Sequence, residues 1–311
     1  MGKGLALAAF TGVCWAVLAI GLKYALHFSS SGTIVWMRMA WAIVLLTAFF
    51  FIKDPKSIGR IFKKTPLMAI GAGTFLAANY FTYMKGLEMT SASNAQIMIQ
   101  LGPISFLLIG VWIFEEVLQL TQWLGVVIAL AGFGLFNWDQ LLVSIGQVQN
   151  GGSTYLMGNA WLLVGGFVWA VFAAFQKRLI QKHGWKPQEL NLIIYALSTV
   201  LLAPMANFSE LLEFNAYQMF ILFLLGLNTL LAYGAFAEAN KLAPASYVSL
   251  IISCNPLLTI AILKILENMG SNIVSPEPIL WRGYLGAALV VAGVSISVSF
   301  KKKTRPPPTP A

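Results

Sequence analysis

The chain has few charged residues, few histidines and few cysteines. Only 10% of its 311 residues are charged, whereas 58% are hydrophobic. Soluble domains carry about 25% charged residues, so this composition excludes an ordinary soluble enzyme and a disordered chain. The two cysteines, Cys14 and Cys254, lie in apolar blocks, where they indicate packing rather than a disulfide. The two cysteines and the two histidines of the chain form no metal-ligand cluster in the sequence. We therefore expect no metal and no cofactor.

The apolar residues occur in blocks of about 20, which is the length that crosses a bilayer core of about 30 Å. The blocks lack the alternation of barrel strands, and helices satisfy their own backbone groups in lipid. We therefore predict an all-α integral membrane protein with ten transmembrane helices. The predicted spans are residues 4–26, 33–52, 66–85, 91–114, 122–138, 156–177, 188–206, 217–239, 244–266 and 281–300.

The positive charges indicate the orientation of these spans. If the N-terminus is cytoplasmic, 15 of the 20 Lys and Arg residues fall in the cytoplasmic segments. The positive-inside rule then predicts that both termini are cytoplasmic. The net charge of +9 is therefore mainly a topology signal. No soluble segment is long enough for a basic nucleic-acid-binding domain, so we expect no nucleic-acid partner.

The two halves of the chain repeat each other. At an offset of 154 residues Gly12 and Trp15 align with Gly166 and Trp169, and at 153 Pro103 aligns with Pro256. Five spans per repeat give the halves opposite orientations, an architecture typical of secondary transporters. The predicted divisions are a first repeat at 1–138, an inter-repeat loop at 139–155, a second repeat at 156–300 and a basic, proline-rich cytoplasmic tail at 301–311.

The fourth and ninth spans each carry a polar stripe that ends at a proline. Spacings of three and four residues put each stripe on one helix face, and a proline frees a backbone carbonyl one turn earlier. We predict that both stripes line a central cavity; the alternative is that they join helices. The stripes are Ser93, Gln96, Gln100 and Pro103, and then Ser246, Ser249, Ser253, Asn255 and Pro256.

Aromatic and amide side chains elsewhere are further candidates for the cavity wall. Buried polar groups are costly in lipid and therefore turn inward, whereas Tyr83 also fits an interfacial anchor. Trp15 and Trp169 lie in mid-span, where they indicate either core packing or a stacking wall for a solute. The additional cavity candidates are Trp15, Asn79, Tyr80, Tyr83, Trp169, Asn228 and Tyr233.

Several of these residues form a pattern that resembles the drug/metabolite transporter superfamily of the EamA type. The resemblance covers residues 4–300 and implies ten helices in two five-helix EamA units. It also implies amino acids or related metabolites as cargo, with export as the usual direction. The second half is less regular, because Glu267 precedes a longer insert. The residues that carry the resemblance are Gly12-x-x-Trp15, Gly166-x-x-Trp169, Arg38, Tyr83-x-x-Gly86-Leu87, Ser91-Ala92-Ser93, Pro103, Pro256 and Glu116 before Trp123-Leu124-Gly125.

Arg38 lies five residues inside the second span and has no acidic partner near it in sequence. Lys85 has Glu88 three residues on, and Lys264 is followed by Glu267 in the same way. Snorkelling to the interface, bridging helices and facing the pathway are the alternatives for Arg38. Because the family resemblance includes an Arg at this position, we favour a structural or gating role for Arg38. We assign the same role to the helix-breaking residues Pro103 and Pro256.

The predicted function is a secondary carrier for small neutral or zwitterionic metabolites, most simply amino acids, that works by alternating access. All eleven carboxylates lie in predicted loops or near span ends, so no buried relay for protons is expected. The alternatives are export of purines, nucleosides or lipophilic drugs, a channel, a membrane-embedded enzyme and a non-transporting subunit. An enzyme is disfavoured, because no nucleophile–base pair occurs. We expect a bacterial inner-membrane protein, monomeric or weakly dimeric, whose partners are lipid and a small solute.

The orientation is tested with cysteines introduced at Gly151 and Lys302. An impermeant thiol reagent added outside should label the cysteine at position 151 and leave the one at 302 unlabelled, because the positive-inside rule places the tail in the cytoplasm. The reverse labelling pattern would refute the orientation.

Overall fold

Long apolar helices make up most of the chain, because lipid supplies no hydrogen-bond partner to an open backbone group. The computed structural model describes residues 2–113, 116–117, 119–148, 154–243, 248, 251–271, 273, 277, 279–299 and 303–304. The helices of the first half are α1 (Gly2–Ala25), α2 (Ser31–Lys53), α3 (Pro55–Lys63), α4 (Leu67–Met89), α5 (Ala92–Met98), α6 (Leu101–Ile113) and α7 (Leu120–Val148).

The second half follows the same order of long helices. Its helices are α8 (Thr154–His183), α9 (Pro187–Leu202) with a 3₁₀ turn (Ala203–Met205), α10 (Glu210–Glu213), α11 (Ala216–Leu242), α12 (Asn255–Asn268) and α13 (Trp281–Ser299). Among the described residues, six helices are clearly long and apolar enough to cross a membrane: α1, α2, α7, α8, α9 and α11. The protein is therefore an integral membrane protein.

The fourth predicted span is two helices rather than one. α5 ends at Met98 and α6 begins at Leu101, with Ile99 and Gln100 between them. Proline at position 103 lacks an N–H and prevents the i−4 bond that an unbroken helix would make there. The break therefore follows from the proline that ends the polar stripe. In the ninth span, α12 begins beside Pro256, while residues 244–247 and 249–250 lie outside the described residues.

Several helix boundaries differ from those the sequence predicts, and one helix is additional. α8 continues to His183, beyond the predicted residue 177, and α4 continues to Met89, beyond residue 85. α7 continues to Val148, so residues 139–148 are helical and are not part of a loop. The apolar residues Leu141, Leu142 and Val143 extend the helix beyond Trp138. α3 was not predicted; Asp54 caps its N-terminus and proline occupies its first position.

A short β pairing interrupts the otherwise helical fold. β1 (Glu116–Val117) pairs antiparallel with β2 (Lys303–Thr304), which belongs to the predicted tail. Two positions of the predicted tail therefore bond to the segment between α6 and α7. The other tail residues lie outside the described part of the chain.

Equivalent residues of the two halves make equivalent contacts with the opposite half. α1 packs on α11, and α8 packs on α4. A Cβ added at Gly4 would lie 2.8 Å from Ala243 Cβ, and one at Gly158 would lie 2.6 Å from Thr90 Cγ2. Position 243 corresponds to position 90 at the offset of 153. Small residues thus let the helix backbones of the two halves approach closely.

α7 and α13 make an extended close backbone contact between the halves. A Cβ at Gly132 would lie 2.6 Å from the Val290 nitrogen, and one at Gly293 would clash with the Ala129 nitrogen. Gly125 and Gly286 make similar contacts. The stripes of small residues that the sequence shows on these two helices are therefore packing surfaces within one chain.

This contact predicts a difference between two glycines of α7. Gly132→Ala should lower the free energy of unfolding by about 1–3 kcal/mol, because the added methyl overpacks the backbone of α13. Gly134→Ala is the matched control, since nothing lies within 4 Å of a Cβ there, and it should leave stability unchanged or raise it slightly. Thermal unfolding in detergent measures both. Equal melting temperatures for the two variants would contradict the packing role.

Candidate functional site

A cavity lies in the middle of the bundle, between helices of both halves. Its volume is about 110 Å³, counted as space open to the centres of water-sized molecules. One water needs about 10–15 Å³ on this measure, so the cavity has room for several waters or the polar part of a solute. The residues that line it are Trp15, Leu18, Arg38, Asn79, Tyr80, Tyr83, Gln96, Ile99, Gln100, Pro103, Trp169, Tyr233, Ile252 and Asn255.

Amide side chains around the cavity donate to backbone carbonyls of neighbouring helices. Asn79 Nδ2 donates to Gly165 O at 2.9 Å, and Gln96 Nε2 donates to Trp15 O at 2.6 Å. With its nitrogen turned to the carbonyls, Asn255 donates to Gly12 O at 2.8 Å. The amide nitrogens are thus used to join helices, which leaves the amide oxygens as the acceptors available to the cavity.

Gln100 differs from these amides. It is 4% exposed and lies at the break between α5 and α6. Its side chain makes no hydrogen bond with the described residues, whereas Gln96, one turn earlier on the stripe, donates to Trp15 O. A buried amide that has room in a cavity and no protein partner is available to bind a solute or water.

Aromatic rings form one wall of the cavity. Trp15 meets Tyr233 edge to face, with 5.4 Å between ring centroids, and Tyr80 lies 6.3 Å from Tyr233. Phe172 packs behind Tyr233 at 6.2 Å. Rings at these distances stabilise one another in edge and offset arrangements. They offer flat apolar surface beside the amide groups.

Arg38 lies at the cavity and is 3% exposed. Its Nε and Nη2 donate to Thr229 Oγ1 on α11 at 3.3 and 3.2 Å. Its guanidinium carbon lies 4.5 Å from the centre of the Tyr80 ring, which is a cation–π contact. Arg38 therefore bridges helices and also faces the cavity, and it does not snorkel to the interface.

The structure brings together most of the residues that the sequence singles out, and places a few elsewhere. Asn228 turns its amide to Cys14 O at 3.0 Å instead of lining the cavity. Ser253 and Pro256 are buried but are not lining residues, and Ser249 lies outside the described residues. The sequence missed Thr229, which has no charge or spacing signal, and the apolar lining residues Leu18, Ile99 and Ile252.

One end of the bundle is tightly joined, and we call it the closed end. Glu210 of α10 accepts from the Ser29 hydroxyl and the Ser30 N–H, both at 3.0 Å. Gly32 lies directly against the carbonyl of Met205, where no Cβ would fit. Aromatic pairs surround this contact: Trp36 with Phe208, and Phe28 with Phe214.

Further polar contacts secure the closed end. Lys23 Nζ donates to the carbonyl of Leu87 in the last turn of α4 at 2.9 Å and to that of Thr90 just beyond the helix at 2.6 Å. The carboxylate of Glu277 accepts from the N–H groups of Ala92 and Ser93. The connection between α4 and α5 is therefore fixed to α1 on one side and to the segment before α13 on the other.

The opposite end, where α2 finishes, contains a cleft of about 840 Å³ on the same measure, and we call it the open end. The cleft lies between α2, α3, α9 and the end of α11. Five Lys and Arg residues and three carboxylates line it, so its charge is net positive. These charged residues are Lys53, Arg60, Lys64, Lys186, Lys241, Asp54, Glu189 and Glu238.

Comparison with known proteins identifies the family. The model of the EamA-like transporter family matches residues 2–138 and 156–299. An uncharacterized inner membrane transporter of Escherichia coli strain K12 is 32% identical over 304 residues, which covers 95% of this chain and 91% of the relative. An uncharacterized transporter of Haemophilus influenzae is 31% identical over 94% of each chain. The chain belongs to the EamA-like transporter family, which confirms the resemblance seen in the sequence, and it is a membrane transporter.

More distant similarities extend this picture. A Salmonella typhimurium protein named "probable amino-acid metabolite efflux pump" is 24% identical over 315 residues and covers 94% of this chain and 93% of the relative. A solved structure titled "Crystal structure of protein" superposes on this chain with a TM-score of 0.63. The two sequences are 16% identical, and the match covers 94% of this chain and 96% of the other. At that identity the superposition shows a shared fold.

The closed end predicts a pH dependence at Glu210. Partial burial raises the pKa of this carboxyl, but hydrogen bonds from Ser30 and Ser29 outweigh it and hold the pKa below its usual value. A carboxyl with a lowered folded pKa stabilises the fold above its unfolded pKa of about 4.3 and loses that contribution as the pH falls further. Because the group is only partly buried, solvent screening limits the contribution to less than about 1 kcal/mol.

Glu210→Gln should therefore lower the melting temperature at pH 7 by at most about 2 °C, and the difference from wild type should vanish near pH 3. Glu213→Gln is the matched control, since Glu213 is exposed on the same short helix and should keep the wild-type pH profile. A difference between Glu210→Gln and wild type that persists unchanged at pH 3 would contradict the role of this carboxylate.

Proposed function

We propose that this protein is a secondary transporter that carries small zwitterionic metabolites, most simply amino acids, across the bacterial inner membrane by alternating access. The observation that carries the proposal is the central cavity, which combines amide oxygens, aromatic faces and one buried guanidinium between the two halves of the chain. The membrane assignment draws on relatives named as inner membrane transporters.

The proposed architecture is ten membrane spans in two inverted repeats, one at 1–138 and one at 156–300. The equivalent contacts of Gly4 and Gly158, and of α1 with α11 and α8 with α4, support it, because each half uses the same residues to pack on the other. The contact between α7 and α13 joins the fifth and tenth spans, which are equivalent positions. Such repeats let the two halves exchange conformations around a fixed site.

The difference between the two ends of the bundle supports alternating access. Hydrogen bonds and aromatic contacts seal the closed end, whereas the cleft of about 840 Å³ leaves the open end accessible. With both termini cytoplasmic, the closed end faces outward and the open end faces the cytoplasm. A solute would then enter the cavity from the cytoplasm, which is the direction required for export.

The lining of the cavity supports the proposed solute class. Amides and hydroxyls bind polar groups, and rings stack on an apolar body. Of the described lining residues only Arg38 carries a formal charge, whereas a phosphate usually needs several Lys or Arg groups. The relative named as an amino-acid metabolite efflux pump agrees with this class.

We further propose transport down the gradient of the solute, without obligatory proton coupling. Proton-driven carriers commonly use a buried Asp or Glu as the relay, and the described cavity lining contains neither. Asp139, which lies inside α7, is paired with Arg282 at 3.0 Å and is partly exposed. This carboxylate is therefore engaged by Arg282 at the start of α13 and is not among the described lining residues of the cavity.

The proposal is tested by amino-acid efflux and counterflow from liposomes that contain the purified protein. Efflux should saturate, and Gln100→Ala should weaken the apparent affinity about 2- to 10-fold, because one hydrogen bond to the solute is lost. Gln218→Ala is the control, since Gln218 lies in the first turn of α11, outside the cavity lining.

Two outcomes would count against the proposal. Saturable flux of a nucleoside or an organic phosphate, with none for any amino acid, would overturn the solute class. Unchanged saturation kinetics in both Gln96→Ala and Gln100→Ala would remove the polar stripe from the site.

A further inference from the structure

Arg38 is a buried cation without a carboxylate partner. A charge taken out of water is costly to bury unless an opposite charge and hydrogen bonds compensate it. The ion pairs of the described residues are all formed by other side chains. Among the described residues, the guanidinium of Arg38 is stabilised by the hydroxyl of Thr229 and by the ring of Tyr80.

The guanidinium group is only partly satisfied by these contacts. It has five N–H donors, and two of them share Thr229 Oγ1. The remaining three have no acceptor among the described residues. Since Arg38 lines the cavity, a solute there can supply the missing acceptor and the missing negative charge at once.

We infer that Arg38 binds the carboxylate of the transported solute inside the central cavity. This inference rests on the proposed function and specifies it: the solute class is a monocarboxylate with an apolar or aromatic body. The planar guanidinium matches the two oxygens of a carboxylate, and the Tyr80 ring beneath it limits the orientations that the group can adopt.

The charge count favours a single carboxylate. One guanidinium neutralises one carboxylate, whereas a dicarboxylate or a phosphate would leave negative charge uncompensated in a cavity that has no second cation among its described lining residues. The solute therefore brings one carboxylate and no further net negative charge.

The rest of the cavity is suited to the ammonium group of an amino acid. Asn79, Gln96 and Asn255 use their nitrogens on backbone carbonyls, so their oxygens remain as acceptors. An ammonium group has three donors and no acceptor. A cavity with a cationic donor and a set of neutral acceptors thus complements a zwitterion, with the aromatic wall left for the side chain.

A purely structural role for Arg38 predicts different behaviour. If Arg38 only holds α2 against α11, then Thr229→Val and Arg38→Gln should change stability alike, and neither should alter the selectivity for solutes. If Arg38 binds the carboxylate, Thr229→Val should keep the preference for carboxylates and Arg38→Gln should lose it.

The experiment compares L-phenylalanine, 3-phenylpropionate, which lacks the amine, and phenethylamine, which lacks the carboxylate. Thermal shifts of the purified protein report binding, and competition against labelled phenylalanine in liposomes reports transport. Wild type should bind both carboxylates better than phenethylamine. Arg38→Gln should weaken binding of both carboxylates about 10- to 100-fold and leave phenethylamine binding nearly unchanged. Arg282→Gln is the matched control, since Arg282 pairs with Asp139 outside the cavity lining.

The outcomes separate this inference from the proposed function. Phenylalanine flux with unchanged carboxylate preference in Arg38→Gln overturns the inference alone. A carboxylate-dependent thermal shift that is lost in Arg38→Gln, without any amino-acid flux in wild type, overturns the amino-acid proposal and leaves the carboxylate site standing. No shift of wild type with either carboxylate overturns the site. If Arg38→Gln does not fold, Arg38→Lys decides, because it keeps the charge and should bind carboxylates more weakly through the loss of the planar fork.

Discussion

Inside a bilayer each polar group must find its hydrogen-bond partner within the protein, because lipid supplies none. In this transporter the amide side chains meet that requirement by donating to carbonyls of facing helices, as Asn79 does to Gly165 and Asn228 does to Cys14. The same bonds determine the chemistry of the cavity. They use amide N–H groups of Asn79, Gln96 and Asn255 on backbone carbonyls, so the oxygens of these amides remain as acceptors. Among the described lining residues, the charged donor is the guanidinium of Arg38.

The contacts between the halves have a second physical basis, which is backbone proximity at glycine. Where α7 meets α13, four glycines face a backbone atom of the other helix at a distance that excludes a methyl group: Gly125, Gly132, Gly286 and Gly293. Small residues at these positions maximise van der Waals contact between helices, which compensates for the weak hydrophobic driving force in lipid. By contrast, Trp15 and Tyr233 join the halves at the cavity through rings, which can slide over one another more readily than packed backbones can.

Much of this structure was predictable from the sequence. The length of the apolar blocks and their lack of strand alternation predicted the long helices. The spacing of Gln96, Gln100 and Pro103 predicted a polar face that the structure places at the cavity. The extension of α7 to Val148 was missed, because polar residues near Trp138 resemble a span end. Thr229 was missed as well: its role depends on where Arg38 reaches across from another helix, and a spacing pattern within one helix carries no such information.

The polar lining also affects how the chain enters the membrane. α4 is as long as its neighbours, yet it is not among the six clearly apolar spans of the described residues, since Asn79, Tyr80 and Tyr83 dilute its hydrophobicity. A segment of this kind partitions weakly into lipid on its own, and each polar residue in it raises the free energy of insertion. During synthesis α4 must therefore be retained by helices that have already been inserted, and both α1 and α2, which precede it, contact it in the folded chain. The residues that equip this helix to form the cavity make its insertion depend on the rest of the chain.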